Sequence, residues 1–436
     1  MSKLQSPRGT ADLMPEDMAG HRHVMDTAKS CAGVFGFEEM ATPIFEFTDV
    51  FARPLGESSD VVTKETYSFT DRGGEGLTLR PEGTAGVVRA LISAGLTQTL
   101  PQKFYYQGPM FRYERPQKGR MRQFHQVGVE LLGPTSPLAD AEVIALGAMM
   151  LDRLGVLGSC VLHLNSLGDG ESRMAYRTAL VEFLSDVKTQ LSEDSQRRLE
   201  TNPLRILDSK DETDRQLIAD APRLGDYLNA ASSDHFGQVT EQLTAAGIAY
   251  LHDPKLVRGL DYYCHTAFEF ITNDLGAQGT VLGGGRYDGL AETLGGPNVA
   301  GVGWAACVER LALLSGQSPR LDAPLVLIAL PNANGADVNG ANANGPDGNG
   351  GMSTETTLFA MASTIRNQGV RVEMPFSGNL GKQLKRADKL GARYVGILGA
   401  DEAAKGIIIL RDMQDGSQTD IPLDQAADHL IALLQS

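Results

Sequence analysis

No stretch of about eighteen consecutive apolar residues occurs in the 436-residue chain, so no segment reads as a membrane-spanning helix. The start, MSKLQSPRGTADLMPEDM, lacks the apolar core of a secretory signal. Cysteine is scarce and scattered: Cys31, Cys160, Cys264 and Cys307 show no CxxC and no paired spacing, which suits reduced thiols in a cytoplasm better than disulfides or structural zinc. Bulk positive charge is missing too. At a formal net charge of -15 the chain cannot gather nucleic acid by overall attraction; DNA is not an expected partner, and any RNA must be held by local basic patches. Two nucleotide fingerprints are absent. No GxxxxGK[ST] occurs, and GGGRYDG from Gly283 carries Asp288 where GxGxxG needs its third glycine. His21 and His23 lie close together on a predicted helix without a carboxylate or cysteine at ligand spacing, so they read as solvated helix residues.

What the chain does have is an ordinary globular composition, 42% hydrophobic and 21% charged, with length for two or more cores. Residues 112–130, RYERPQKGRMRQFHQVGVE, concentrate five Lys/Arg against two Glu. Both ends read as strands, and the middle, ERPQKGR, carries the Pro and Gly of a loop, which predicts a hairpin with a basic tip. Strand alternation puts Arg120, Arg122, Phe124, Gln126, Gly128 and Glu130 on one face, and Val127, Val129 and Leu131 on the other. One face suits a core. The other suits a polar ligand on which an aromatic ring can stack.

Around the hairpin, a helix is predicted over residues 18–36, then a strand through ATPIFEFTDVF whose Pro43 fits an edge or an interface. GLTLRPEGTAGVVRALISAGL predicts a strand to Arg80, a turn at Pro81 to Gly83, and a helix capped by Thr84 and stopped at Gly95. Another helix is expected over residues 139–154. Residues 171–251 shift to long amphipathic helices, a helical module inserted into a sheet domain. Strands return with DYYCHTAFEFI and TVLGGGRYDGL, and NVAGVGWAACVERLALLSG reads as a short strand into a helix. Trp304, Cys307, Val308 and Leu311 are assigned to that helix's apolar face, with Glu309 and Arg310 off it. After Pro324 an alternating α/β unit follows. It is interrupted over residues 331–353 by an Asn/Gly-rich stretch too poor in apolar residues to offset its ordering entropy.

Arginines, carboxylates and tyrosines in strand or turn contexts (Arg112, Glu114, Arg120, Arg258, Tyr262, Tyr263, Tyr287, Arg310) remain as chemistry-bearing residues, and convergent guanidinium forks suit a triphosphate. FRYERPQKGRMRQF resembles the second signature of class II aminoacyl-tRNA synthetases, and GVGWAACVERLALL resembles the third. LVRGLDYYCHTAFEF from Leu256 and LGGGRYDGL from Leu282 are similar to the pair peculiar to histidyl-tRNA synthetases, of bacterial type, and PRGTADLMP and LRPEGTAG fit the same family. The similarity covers nearly the whole chain; the Asn/Gly-rich stretch departs from it.

The resemblance implies an α+β fold: a class II antiparallel sheet with flanking helices, an inserted helical module and a C-terminal α/β anticodon-binding domain. It divides the chain into a catalytic domain over residues 1–170 and 254–322, the insertion over 171–253, and the anticodon-binding domain over 323–436. The implied reaction joins L-histidine to histidine tRNA through a histidyl-adenylate, with ATP as substrate and Mg2+ on its outer phosphates rather than in a protein cage. Arg112 and Arg258 are implied at the α-phosphate, Arg258 standing in for a metal ion. Arg120, Arg310 and Glu114 belong to the rest of the nucleotide, with Phe124 stacked on the base. Glu82, Thr84 and Gln126 are implied at the α-amino group, and Glu130 and Tyr263 at the imidazole nitrogens, with Tyr262, Tyr287, Arg112 and Arg258 completing the histidine site. An imidazole presents one donor and one acceptor, which a carboxylate and a phenol can address. Arg115, Gln117 and Lys118 are implied at the tRNA acceptor end and its extra 5′ nucleotide. Lys382, Lys385, Arg386, Lys389 and Arg393 share one helix side and are candidates for the anticodon stem. Pro43 is implied in a homodimer interface, and the location is cytoplasmic.

Three readings compete. A catalytically silent regulatory relative would be expected to lose signature residues and the C-terminal domain. An RNA-binding protein on the same scaffold would not need Arg258, Arg310 and Glu82 together. A synthetase for another amino acid would not carry RGLDYY and GGGRYDG.

Overall fold

The computed structural model describes residues 4–55, 65–116, 120–201, 203–209, 211–257, 262–276, 279–317, 323–330 and 352–435. The chain divides into two compact units, Met1–Pro319 and Arg320–Ser436.

The first unit is built on an eight-stranded sheet. Its spatial order is Glu38–Glu39, Gln102–Phe111, Gln123–Gly133, Ala300–Cys307, Thr280–Arg286, Cys264–Thr272, Cys160–Ser166 and Leu251–His252. The six inner strands are mutually antiparallel and the two short edge strands pair parallel to their neighbours. The predicted hairpin is Gln102–Phe111 and Gln123–Gly133, paired from Gln102 opposite Leu132 to Phe111 opposite Gln123. Val127, Val129 and Leu131 enter the main core beneath helices Pro15–Val34, Pro137–Arg153 and Val308–Ser315. Gln126 and Glu130 alternate onto the other face, where Tyr106, Tyr263 and Tyr287 gather with helix Thr84–Ser93. The sheet is therefore buried on both sides, yet one side buries polar groups. That side holds the candidate site.

Local chemistry explains three departures from the sequence expectations. Thr84 is not the cap of its helix but the first helical residue: Gly83 holds the cap position, and the Glu82 carboxylate accepts from the Thr84 and Ala85 amides at 2.7 and 2.9 Å. A longer acidic side chain two residues upstream reaches both orphan donors, so Thr84 keeps its hydroxyl for other use. Trp304 and Cys307 belong to strand Ala300–Cys307, not to the following helix, which begins at Val308. Every second residue there is small, and Trp304 fills the core with its indole N–H donated to the Val143 carbonyl at 2.8 Å. His21, expected in solvent, is 6% exposed because its helix packs it against the hairpin.

The expected helical module also divides. Tyr176, Leu180, Leu184, Leu191, Leu199, Ile206 and Leu224 form a small core of their own, pinned by buried Asp214, which accepts hydrogen bonds from Ser192, Ser195 and Ser209. Burial opposes ionisation of Asp214, but those bonds outweigh it and bring its carboxyl down to about 2. Helix Ala230–Ala245 instead gives Val239 and Leu243 to the main core. His235 on this helix lies 3.4 Å from Asp140, which is fully buried with Arg286. Arg286 is almost wholly satisfied, by Asp140, by Asp288 at 3.1 Å and by the Pro134 and Ser136 carbonyls at 3.0 and 3.2 Å. That full pairing is what makes a buried charge tolerable.

The second unit has a five-stranded sheet in the order Val372–Glu373, Leu325–Ala329, Tyr394–Leu398, Ile407–Asp412, Gln418–Pro422, the first three parallel and the last two antiparallel. Helices Thr354–Asn367 and Leu423–Gln435 contribute to the core on one face and Leu380–Lys389 to that on the other. The Asn/Gly-rich stretch lies outside the described residues up to residue 351; its last residue, Ser353, caps helix Thr354–Asn367 by accepting from the Thr356 amide at 3.1 Å.

Candidate active site

Glu130 is the centre of the polar face. It has no exposed surface, and two hydroxyls hold it: Thr84 Oγ1 donates to one oxygen at 2.6 Å and the Tyr287 hydroxyl donates to the other. Burial dominates its titration and, with Glu82 nearby, pushes the carboxyl up to about 8, although both hydroxyls pull the other way. Glu82 is also raised by burial, against the pull of the Thr84 and Ala85 amides and of Arg112. Two carboxyl groups are thus buried side by side where, among the described residues, Arg112 is the cation that acts on Glu82, an arrangement that favours positive charge or donor hydrogens.

Glycines make the room. A Cβ on Gly303 would overlap the Glu130 carboxylate, and one on Gly83 or Gly128 would overlap the ring of Tyr106 from either side. Backbone can approach a buried side chain this closely only where no side chain intervenes. Tyr106 lies in the slot so formed; among the described residues its buried hydroxyl meets no partner at hydrogen-bond geometry, nor do the Tyr262 hydroxyl and Gln126 Oε1. Tyr262, Tyr263 and Tyr287 pack as a ring cluster, Tyr262 to Tyr263 at 4.7 Å between centroids and Tyr262 to Tyr287 at 5.9 Å. Arg173, from helix Gly170–Ser185, donates to the Tyr263 carbonyl at 2.9 Å and so positions that cluster.

Cationic groups gather toward the hairpin tip. Arg112 donates to the Pro81 carbonyl at 2.9 Å and lays its guanidinium over the Phe124 ring at 5.3 Å. Arg120 pairs with Glu114; burial lowers its pKa, and the charges of Arg112 and Arg310 lower it further, so the three guanidinium groups share one field. Arg310 donates to the Thr280 carbonyl at 2.7 Å. Arg122, grouped with Phe124 by alternation, is instead stacked on Tyr113 at 3.9 Å and donates to the Glu114 carbonyl, because the regular strand begins only at Gln123. Arg115 is exposed at the tip. Gln117, Lys118 and Arg258 lie outside the described residues; Val257 and Tyr262, on either side of residues 258–261, pack against the tyrosine cluster.

The structure thus brings Glu82, Thr84, Gln126, Glu130, Tyr262, Tyr263 and Tyr287 to one end of the polar face, and Arg112, Glu114, Arg120, Phe124 and Arg310 to the other. Tyr106, Gly303 and Arg173 were missed by the sequence reading. A signal existed for Tyr106, in KFYYQG opposite the return strand, but nothing local marks Gly303 or Arg173.

The antiparallel sheet, its helices and this polar face define a class II aminoacyl-tRNA synthetase. Residues 9–311 match the histidyl-tRNA synthetase family and residues 351–433 match an anticodon binding domain. A histidine-tRNA ligase of Rhodospirillum rubrum is 56% identical over 434 residues, covering 100% of both chains. One from Gluconacetobacter diazotrophicus is 51% identical, covering 99% of this chain and 100% of its own. Among solved structures, apo histidyl-tRNA synthetase of S. aureus aligns with a TM-score of 0.79 at 34% identity, covering 98% of this chain and 99% of that one. The chain belongs to the histidyl-tRNA synthetase family: it charges tRNA with histidine for translation, and ATP is its second substrate.

Proposed function

We propose that the two ends of the polar face divide the reaction between them. At the carboxyl-rich end, Glu130 and Tyr263 take the imidazole nitrogens of histidine, with Tyr262 and Tyr287 around the ring, while Glu82, Thr84 and Gln126 take the α-amino group. Thr84 and Tyr287 hold both Glu130 oxygens, so the carboxylate is oriented before substrate arrives. A substrate without a matching donor and acceptor would leave these buried groups unpaired, a penalty that supports discrimination of about 10⁴ or more.

At the arginine end, Phe124 stacks on adenine, Arg120 and Arg310 meet the distal phosphates and the adenine side with Glu114 among the nucleotide-binding residues, and Arg112 with Arg258 meets the α-phosphate. A histidine carboxylate oxygen attacks the α-phosphorus, the bond to the bridging oxygen breaks, and pyrophosphate leaves with that electron pair. The guanidinium groups are most effective where charge grows during this step. A terminal ribose hydroxyl of tRNA then attacks the acyl carbon, releasing AMP. Glu114, a hard oxygen donor beside Arg120, would offer a ligand to Mg2+, and the ion would supply positive charge at the outer phosphates when bound with ATP.

Arg115, Gln117 and Lys118 take the acceptor end of histidine tRNA. In the second unit, Lys382, Lys385, Arg386 and Lys389 are exposed on helix Leu380–Lys389 and are offered to the anticodon stem; Arg393, also exposed, lies beyond the end of that helix and does not continue its face as the spacing predicts. Exposed Ile44, Phe45, Phe47 and Phe69 beside Pro43 support a homodimer, and the translational role supports a cytoplasmic location. Residues 1–170 and 254–322 act as the catalytic domain, 171–253 as a clamp on the acceptor arm and 323–436 as the anticodon-binding domain.

The observation that carries this reading is Glu130, fully buried between two hydroxyl donors among tyrosines. Pyrophosphate exchange into ATP is expected with histidine and with no other amino acid. Folded protein that gives no histidine-dependent exchange overturns the assignment.

A further inference from the structure

His21 sits in the second turn of helix Pro15–Val34 and is 6% exposed. Its ring meets His125 edge-on, with centroids 5.5 Å apart and planes at 73°, and its buried Nδ1 has no hydrogen-bond partner among the described residues. His125 lies between Phe124 and Gln126 on the return strand, but alternation turns it to the opposite face. Glu309 comes from the first turn of helix Val308–Ser315. Its carboxylate accepts from the His125 amide at 2.9 and 3.0 Å and lies 2.9 Å from His125 Nδ1. One donor atom from each of the three residues lies within 4.8 Å of the other two.

We propose that His21, His125 and Glu309 form a binding site for a divalent cation of the zinc type, with water in a fourth position. Two imidazole nitrogens and one carboxylate oxygen are a donor set that suits such an ion and not magnesium or calcium, which take oxygen. The hydrogen-bonded pair of His125 and Glu309 accounts for two of the residues without a metal. It leaves His21 unexplained: its ring lies against the pair, and its buried Nδ1 has no hydrogen-bond partner among the described residues. A cation placed between His125 Nδ1 and Glu309, with His125 as the tautomer protonated on its other ring nitrogen, would give all three residues a partner.

The geometry is nearly ready. A tetrahedral ion about 2.0–2.2 Å from each donor holds the donors about 3.3–3.6 Å apart, so a pair at the 4.8 Å limit closes by about 1.2–1.5 Å. A side-chain torsion covers that distance. The frame is firm: a Cβ on Gly20 would already touch Ala312 at 3.7 Å, so the helix bearing His21 lies directly on the helix bearing Glu309. The ion would clasp three elements behind the nucleotide end, since Glu309 adjoins Arg310 and His125 adjoins Phe124. It stands on the opposite face of the sheet from the reacting phosphates and is separate from the magnesium that enters with ATP.

The test uses the full chain, stripped with a chelator and titrated with zinc sulfate by calorimetry, with X-ray absorption at the zinc edge. About one zinc per chain is expected, in a first shell of nitrogen and oxygen with two imidazoles and no sulfur. His21→Ala should weaken binding by about tenfold or more. His21→Cys should keep the zinc and add one sulfur at about 2.3 Å, which decides the matter if the alanine variant does not fold. No zinc bound by the parent chain, a sulfur-containing shell that implicates Cys307, whose thiol lies 3.4 Å from the Glu309 carboxylate, or His21→Ala binding as tightly as the parent overturns the proposal.

Discussion

Gly303 stands so close to Glu130 that a single added carbon would occupy the space of its carboxylate oxygen. The two residues face each other across paired strands, Gly303 opposite Glu130 in register, and the missing side chain of one is the room for the other. Gly303→Ala should therefore displace Glu130 from Thr84 and Tyr287. The expected result is a raised KM for histidine with the KM for ATP nearly unchanged, and a stability loss of about 1–3 kcal/mol from overpacking. Exchange kinetics and urea denaturation check both; an unchanged histidine KM would detach Glu130 from substrate binding.

The titration of Glu130 gives a signed expectation for the ligand-free protein. Its carboxyl is raised from 4.5 to about 8, so the folded chain binds more protons there than the unfolded chain between those values. Stability from this group therefore falls as pH rises from about 4.5 to about 8. Glu130→Gln, which keeps an oxygen for Thr84 or Tyr287, should flatten that slope and abolish histidine activation. Denaturation midpoints across this pH range, with exchange assays at one pH, measure the two effects separately.

Arg258→Ala should lower adenylate formation by about 10²–10³-fold, the scale for losing one preorganised charge at a reacting oxyanion, while leaving the fold intact. Near-parental exchange in the variant would remove Arg258 from the α-phosphate.

Deleting residues 332–351 should change thermal stability and tRNA charging little. The stretch has almost no large apolar side chain to contribute to a core, and helix Thr354–Asn367 keeps its own cap, Ser353. A collapse in charging by the shortened chain would show that the insert contacts tRNA.

Much of the site could be read before any fold was known. Alternation along QFHQVGVEL separated Gln126 and Glu130 from Val127 and Val129, and the hairpin, the helix after LRPEGTAG and the C-terminal α/β unit follow from local patterns. The departures share one origin. Thr84 is the residue type that caps helices, but Glu82 reaches the amides first and frees the Thr84 hydroxyl for a residue 46 positions away. Tyr287 reaches the same carboxylate across 157 positions. His21 lacks ligand spacing in the chain and gains Glu309 only through helix packing.

The amino-acid sequence alone determined the alternation of the hairpin, the basic tip, the inserted helices and the signatures of the family, because periodicity and turn chemistry act over a few residues. Only the tertiary structure decided that Glu130 is dry, that two hydroxyls orient it, that Gly303 clears its space, and that His21 faces His125 and Glu309. Those properties depend on which distant groups share a volume from which water is excluded. There a carboxyl's charge is set by burial and by its few neighbours rather than by its place in the chain.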